Sequence, residues 1–327
     1  MQHLSELNLF KKYFDEKEKK PKQVKKKKEE DVRSDANSQS NESVEGFLRE
    51  RLEEELEDFA KLILEREFEH TDFENIIFAS KNEETEKLKV IPANQIQQSR
   101  RFPTGSPNLD KLFEGGIPTK NLIEFYGPPG SGKTQILFQI ATVAAKECKI
   151  LFIDTEGSFN SARIQMMAER FPNWNLNSIL ENILVLRVTD FKQQIASIEK
   201  VVQILEKEKN VGMVIVDSIS NLFRARLWGS KLLKLRQQLL NFHLYELKKI
   251  GEEYEIAILY SNQVSSISDL DGELETLPVG GNIMGHNSGI RVELNRGRSG
   301  YYEAKLISSS YLEPRKVRFS ITSQGVL

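Results

Sequence analysis

The chain has 327 residues, with 46 Lys and Arg against 48 Asp and Glu, for a formal net charge of −2. That length can bury a sizeable core and allows one or two domains. A single cysteine, Cys148, rules out an intrachain disulfide framework, and no run of about 18 apolar residues offers a membrane span. With no apolar signal segment at the start either, the sequence predicts a soluble, intracellular, cytoplasmic protein with no membrane partner.

Charge divides the chain into three parts. Residues 1–43 hold 11 Lys and Arg against 9 Asp and Glu, and include KKKKEEDV and SDANSQSNES without apolar periodicity. This composition predicts a disordered charged tail. Residues 44–99 hold 7 against 15 and are strongly acidic. Within them Val44, Leu48, Leu52, Leu56, Phe59 and Ile63 recur every three or four positions, which predicts an amphipathic helix reaching to about Phe68. Residues 100–327 hold 28 against 24 and are mildly basic.

In that third part strand-like and helix-like patterns alternate. LIEFYG, KILFID, ILVLRV, GMVIVD and IAILYSN read as strands. Helices are expected from Lys133, after Phe159, from about Phe191 and from about Lys231. Such alternation predicts an α/β domain with a mostly parallel twisted sheet flanked by helices. RVELNR, YEAKLIS and VRFSIT then read as further strands, expected to extend the sheet antiparallel.

The strand ends carry the chemistry. GPPGSGKT (Gly127, Pro128, Pro129, Gly130, Ser131, Gly132, Lys133, Thr134) fits G-x-x-x-x-G-K-[ST] between a strand and a helix. Glycines let amide N–H groups curl around phosphates, and the helix N-terminus adds positive dipole. Lys133 is expected at the β- and γ-phosphates of ATP, Thr134 at Mg²⁺, and Gln135 among the nucleotide contacts. Asp217 ends GMVIVD, where one carboxylate after an apolar strand can hold the Mg²⁺ water shell. Glu156, just past KILFID, can orient or deprotonate the attacking water. Gln263, after IAILYSN, can hydrogen-bond a γ-phosphate and report its loss.

These motifs, in this order, resemble the RecA/RadA recombinase family of ATPases. The likeness runs from about Pro103, through PTGSPNLDKLFEGGI, FIDTEGSF, VIVDSISNLFRARL, RQQ, SNQV and GGNIMGH, to Val326. GPPGSGKT is most similar to the phosphate loop of RadB, the archaeal RadA paralogue. The resemblance implies a RecA-like P-loop core over residues 100–327. Lys133, Glu156 and Gln263 take the catalytic positions, and Thr134 and Asp217 the metal positions. Arg163 falls against the adenine. Pro278, Gly280 and Gly281 fall in the segment that reaches a neighbouring subunit's nucleotide.

The resemblance also implies two DNA-binding loops. The first corresponds to FRARLWGSKLLKLRQQ, with Arg224, Arg226, Lys231, Lys234 and Arg236, and Trp228 among them. These suit backbone phosphate and base stacking on single-stranded DNA. The second holds Asp269, Asp271, Glu273 and Glu275, and no Lys or Arg occurs between Gln263 and Arg291, so it is a poor DNA clamp.

Two features depart from the family's assembly pattern. Residues 1–104 contain one glycine, Gly46, which argues against the family's N-terminal helix-hairpin-helix domain. At the family's Phe-x-x-Ala polymerisation motif the best-placed stretch is VIPA, with Val90 for the aromatic ring, which predicts weak or conditional filaments.

The expectation is an ATP-dependent DNA-binding protein of recombination and repair. It is expected to self-associate or to pair with a RadA-type recombinase, as a paralogue or mediator rather than an autonomous recombinase. The alternatives are an ATP-switched scaffold with little hydrolysis and a KaiC-like signalling ATPase.

Overall fold

The computed structural model describes residues 90–96, 98–227, 232–268, 274–280, 285, 287–297 and 300–327. The expected tail over 1–43 and the acidic helix from Val44 to about Phe68 lie outside the described residues. The chain divides into two compact units, residues 1–97 and 98–327. In the first, Val90 is 99% exposed, Ile91 and Ile96 are exposed, and Ala93–Gln95 form one 3-10 turn.

In the second unit β1 (Arg101–Phe102) pairs antiparallel with β2 (Ile117–Pro118) around α1 (Pro107–Leu112). There follow β3 (Asn121–Gly127), α2 (Lys133–Ala144), β4 (Lys149–Asp154), α3 (Ser161–Ala168), α4 (Leu176–Glu181), β5 (Ile183–Arg187), α5 (Phe191–Lys207) and β6 (Val211–Asp217). Next come α6 (Asn221–Arg226), α7 (Leu233–Glu253), β7 (Ala257–Ser268), β8 (Leu274–Pro278), β9 (Ile290–Arg296), β10 (Tyr302–Ser309) and β11 (Lys316–Phe319). A last small hairpin joins β12 (Ile321–Thr322) to β13 (Gly325–Val326).

The main sheet has the order β11-β10-β9-β3-β7-β6-β4-β5, with β8 paired to the far end of β7. The pairs β3–β7, β7–β6, β6–β4, β4–β5 and β3–β9 are all parallel. The fold is the RecA-like α/β architecture, a mostly parallel sheet flanked by helices, as expected.

The alternation of apolar strands and amphipathic helices explains most of it. Asp190 caps α5 by accepting from the Gln193 amide, and Phe191, Ile195, Ile198 and Val201 then form its buried stripe. Helix α2 is buried on every side from Ile136 to Ala144, because the sheet lies beneath it and α3 and β13 lie against it. The rings of Phe138, Phe152 and Phe159 meet pairwise at 5.2–5.5 Å, the first two buried in this core and Phe159 packed against it. Each fully buried side chain of that size contributes about 1.5–3 kcal/mol of transfer free energy.

Two expectations need correcting. RVELNR is not antiparallel: Ile123 faces Ile290 and Tyr126 faces Glu293 in a parallel ladder. β9 pairs with β3, which lies far earlier in the chain, and not with its sequence neighbour β8, so no tight turn forces an antiparallel ladder. Of the three C-terminal runs, YEAKLIS and the start of VRFSIT extend the sheet antiparallel as β10 and β11, and VRFSIT breaks at Ser320 into β11 and β12. The acidic second loop is largely a β-hairpin, in which Val264–Ser268 pair with Leu274–Pro278.

Candidate active site

Parallel pairing brings four strand ends to one edge of the sheet. Gly127 is in register with Gln263, and Asp154 with Asp217. Ligands of open α/β sheets bind outside such carboxyl ends.

The loop after β3 runs from Gly127 into α2. Gly130 and Gly132 have positive φ, +77° and +94°, the left-handed region that glycine adopts freely. Gly127 is glycine for another reason: a Cβ there would lie 2.1 Å from the Leu294 carbonyl oxygen, because β9 passes directly beside it. The N-cap residue of α2 is Gly132, which has no side chain to take up the helix's first amides, and these lie next to the loop. Lys133 folds back, and its Nζ donates to the carbonyls of Gly127 at 2.8 Å and Pro128 at 3.0 Å. Burial holds its ammonium below the usual lysine range, while the carboxylates of Asp217 and Glu156 pull it back up.

Asp217 is 1% exposed. Its Oδ1 accepts from the Ser261 hydroxyl, and Thr134 also donates to its carboxyl group. Its Oδ2 is buried without a partner among the described residues. Burial pushes the Asp217 pKa up to about 6, against the Ser261 and Thr134 hydrogen bonds, and Glu156 and Asp154 add repulsion. An orphaned carboxylate oxygen beside a threonine hydroxyl is a hard-oxygen donor set that suits Mg²⁺. That ion is usually held by one or two carboxylates together with substrate phosphates. Among the described residues no group of three or more His, Cys, Asp or Glu could hold a metal by itself. Thr134 and Asp217 therefore fit an ion that shares its coordination with phosphate oxygens.

Glu156 lies in the turn after β4 and is exposed. The turn is built on Asp154, which is fully buried. Asp154 accepts from the amides of Gly157 (2.8 Å), Ser158 (3.1 Å) and Phe159 (3.0 Å), and Arg187 of β5 pairs with it. Glu156 Oε1 accepts from Ser218 Oγ at 2.6 Å and from Gln263 Nε2 at 3.2 Å. The alternation of β7 explains the grouping, because Ser261 and Gln263 face the side of Asp217 and Glu156, and Asn262 points the other way. Asn262 there donates to Glu124 Oε1 at 2.9 Å and to the Val279 carbonyl at 2.8 Å, and it accepts from Ser220 Oγ at 2.8 Å. Glu124 is in turn paired with Arg291 at 2.6 Å.

Arg163 and Gln135 do meet: Arg163 Nε donates to Gln135 Oε1 at 2.7 Å. The rest of the Arg163 guanidinium binds the carbonyls of Thr322 at 2.7 Å and Ser323 at 2.5 Å, so it clasps the C-terminal hairpin. Pro129 and Gly130 are exposed, and a Cβ at Gly130 would meet nothing within 4 Å.

The cations expected in the first loop are divided. Arg224 and Arg226 lie on the six-residue helix α6, not on a loop, and Lys234 and Arg236 lie in the first turn of α7. Lys231 and Trp228 lie outside the described residues, as do Asp269, Asp271, Glu273 and Gly281. Arg236 Nη1 donates to the Leu227 carbonyl at 3.1 Å. Arg224 turns inward, and its Nη1 donates to Gln263 Oε1 at 3.0 Å.

Sequence reading missed Asp154, Arg187, Ser218, Ser261 and Asn262. Asp154 was legible in principle, since a carboxylate followed by Thr-Glu-Gly at a strand end invites a turn that accepts backbone amides. Nothing in the sequence marks the serines, which become relevant only where three strands converge.

Comparison with known proteins agrees with this geometry. The Rad51 family matches residues 96–327. The chain is 36% identical to a protein of Metallosphaera sedula named "DNA repair and recombination protein RadA", over 250 residues, 73% of this chain and 77% of that one. A protein of the same name from Aeropyrum pernix is 36% identical over 234 residues (69% and 73% of the two chains). That of Ignicoccus hospitalis is 35% identical over 239 residues (69% and 72%). The phosphate loop, the four strand ends and the sheet order thus have their explanation in descent, and this chain belongs to the Rad51 family within the RecA/RadA group.

Proposed function

We propose that this chain binds ATP with Mg²⁺ at residues 127–135, hydrolyses it, and uses the hydrolysis to change its grip on DNA in recombination and repair. One observation carries the reading: the unpartnered, buried Oδ2 of Asp217, beside Thr134, within the electrostatic reach of Lys133 and Glu156. The names of the RadA relatives, which speak of DNA repair and recombination, support the biological setting. Among the described residues no helix is long and apolar enough to cross a membrane.

The residues divide the work. Amides at the start of α2 and the Lys133 ammonium hold the β- and γ-phosphates. Thr134 and Asp217 would hold Mg²⁺, which when bound supplies charge that neutralises the phosphate oxygens. Glu156 orients a water and takes its proton as the water oxygen attacks the γ-phosphorus. The bond from that phosphorus to the β–γ bridging oxygen breaks, and ADP leaves with the oxygen. Gln263 senses the γ-phosphate. Arg226, Lys234 and Arg236, with Lys231 in the same basic segment, take DNA phosphates.

Within the family we read the chain as a paralogue or mediator that acts with a RadA-type recombinase. Support comes from the acidic β7–β8 hairpin segment, which has no Lys or Arg between Gln263 and Arg291, and from Val90 at the polymerisation position. The decisive experiment is ATP turnover of the full chain with and without single-stranded DNA. Calorimetry that detects no uptake of ATP with magnesium would end the nucleotide reading. Efficient strand exchange by the purified chain alone would end the mediator reading.

A further inference from the structure

Resting on that reading, the hydrogen bonds between α6 and the active site point to a part for Arg224 beyond DNA contact. Three side chains form one chain of contacts. Arg224 Nη1 donates to Gln263 Oε1 at 3.0 Å, and Gln263 Nε2 donates to Glu156 Oε1 at 3.2 Å. The same Glu156 oxygen accepts from Ser218 Oγ at 2.6 Å, so both of its lone pairs are engaged by the protein. A carboxamide has one acceptor end and one donor end. A cation on its oxygen therefore dictates that its N–H group faces the carboxylate.

Helix α6 is a fixed platform for Arg224, because Phe223 is fully buried against the rings of Phe191 and His243. It is a single helix of six residues. Ser220 Oγ at its N-terminal end is held by Asn262, and Arg224 is held by the next residue of β7, Gln263. Arg224 and Arg236 line one cleft with Val279 and Gly280, at the point where the β7–β8 hairpin returns. Among the described residues neither arginine pairs with a carboxylate. Two guanidinium groups without a counter-ion attract a phosphate, and phosphate binds guanidinium more strongly than a neutral amide does.

We propose that Arg224 is a positioning residue for hydrolysis: it holds Gln263 against Glu156, and a DNA phosphate that captures its guanidinium releases Glu156 to engage water. The coupling runs from DNA to the ATPase through two hydrogen bonds, without a backbone rearrangement. It predicts that the site is restrained when DNA is absent.

The test measures ATP turnover of the full chain at saturating ATP, without DNA and across a series of single-stranded oligonucleotide concentrations. Wild type, Arg224→Ala and Arg224→Lys are compared. Arg224→Ala is expected to raise DNA-free turnover about ten-fold, the equivalent of one lost charge-assisted hydrogen bond, and to bring the ratio of DNA-stimulated to DNA-free turnover close to one. Arg224→Lys restores a donor and a charge, so its DNA-free rate falls between the two. A residue that only contacts DNA would instead shift the half-saturating oligonucleotide concentration and leave both plateaus in place. That result, or a DNA-free rate at or below wild type, overturns the proposal. Should Arg224→Ala not fold by near-UV circular dichroism, Arg224→Lys decides, and a DNA-free rate equal to wild type overturns the proposal. A wild type that turns over ATP without any response to DNA removes this inference and leaves the nucleotide site standing. One that binds no ATP removes both.

Discussion

His243 offers a sharp test of the packing beneath α6. It is 1% exposed on α7, its ring meets Phe223 edge-on with centroids 5.7 Å apart, and neither ring nitrogen has a hydrogen-bond partner among the described residues. Burial alone pushes its pKa down to about 3 from the ordinary 6.5. The folded protein therefore keeps the ring neutral, while the unfolded chain takes up a proton as pH falls through the ordinary value. Stability is full above that value and is lost progressively below it, down to about pH 3. Between about pH 7.5 and about pH 5.5 the loss is about 1.4 kcal/mol, set almost wholly by the unfolded chain's proton uptake. Asp217, raised to about 6, shifts stability in the opposite direction over the same range, so one protein's pH dependence cannot isolate the histidine. His243→Leu, of nearly equal volume, keeps Asp217 and removes the titration. Urea unfolding of both proteins at both pH values yields a difference of differences of about 1.4 kcal/mol, the wild type losing more on acidification. If the two proteins track each other within about 0.3 kcal/mol, His243 is hydrated or partnered, and the account of this core is wrong.

Other substitutions test the site directly. Lys133→Ala is expected to abolish ATP turnover, and Glu156→Gln to retain ATP affinity by calorimetry while hydrolysis falls about 10²–10⁴-fold. Asp154→Ala strips the acceptors from the three backbone amides of the turn and leaves Arg187 unpaired. It should cost about 3 kcal/mol or more in urea unfolding and slow hydrolysis through the displaced Glu156 turn; unchanged stability would refute the support given to that turn. Gly127→Ala forces a methyl group to within 2.1 Å of the Leu294 carbonyl oxygen unless the backbone shifts. Weakened ATP binding and a lowered melting temperature are expected, and a variant with wild-type values would show that β9 yields there.

Much of the domain was legible along the chain. Five apolar runs became β3, β4, β5, β6 and β7, and the helices began where the pattern changed, at Lys133, after Phe159 and at Phe191. Local periodicity reports which face of an element is buried, so the presence and type of long elements can be read from neighbours in sequence. The phosphate loop was equally plain, because a glycine-rich turn between strand and helix needs only adjacent residues.

What sequence could not supply depends on residues far apart in the chain. The parallel setting of β9 beside β3 is a choice of partner, and the period-2 pattern of RVELNR suits either direction. Arg224 resembled any other cation of a basic segment, and only the tertiary structure turned it inward to Gln263, 39 positions away, and through it to Glu156. The buried pair of Glu124 and Arg291, 167 positions apart, is of the same kind. Sequence by itself determined the elements, the phosphate loop and the chemical types at the strand ends. The fold decided which of those groups share a hydrogen bond. Propensity and periodicity act over a few residues, whereas charge pairing and burial act through space.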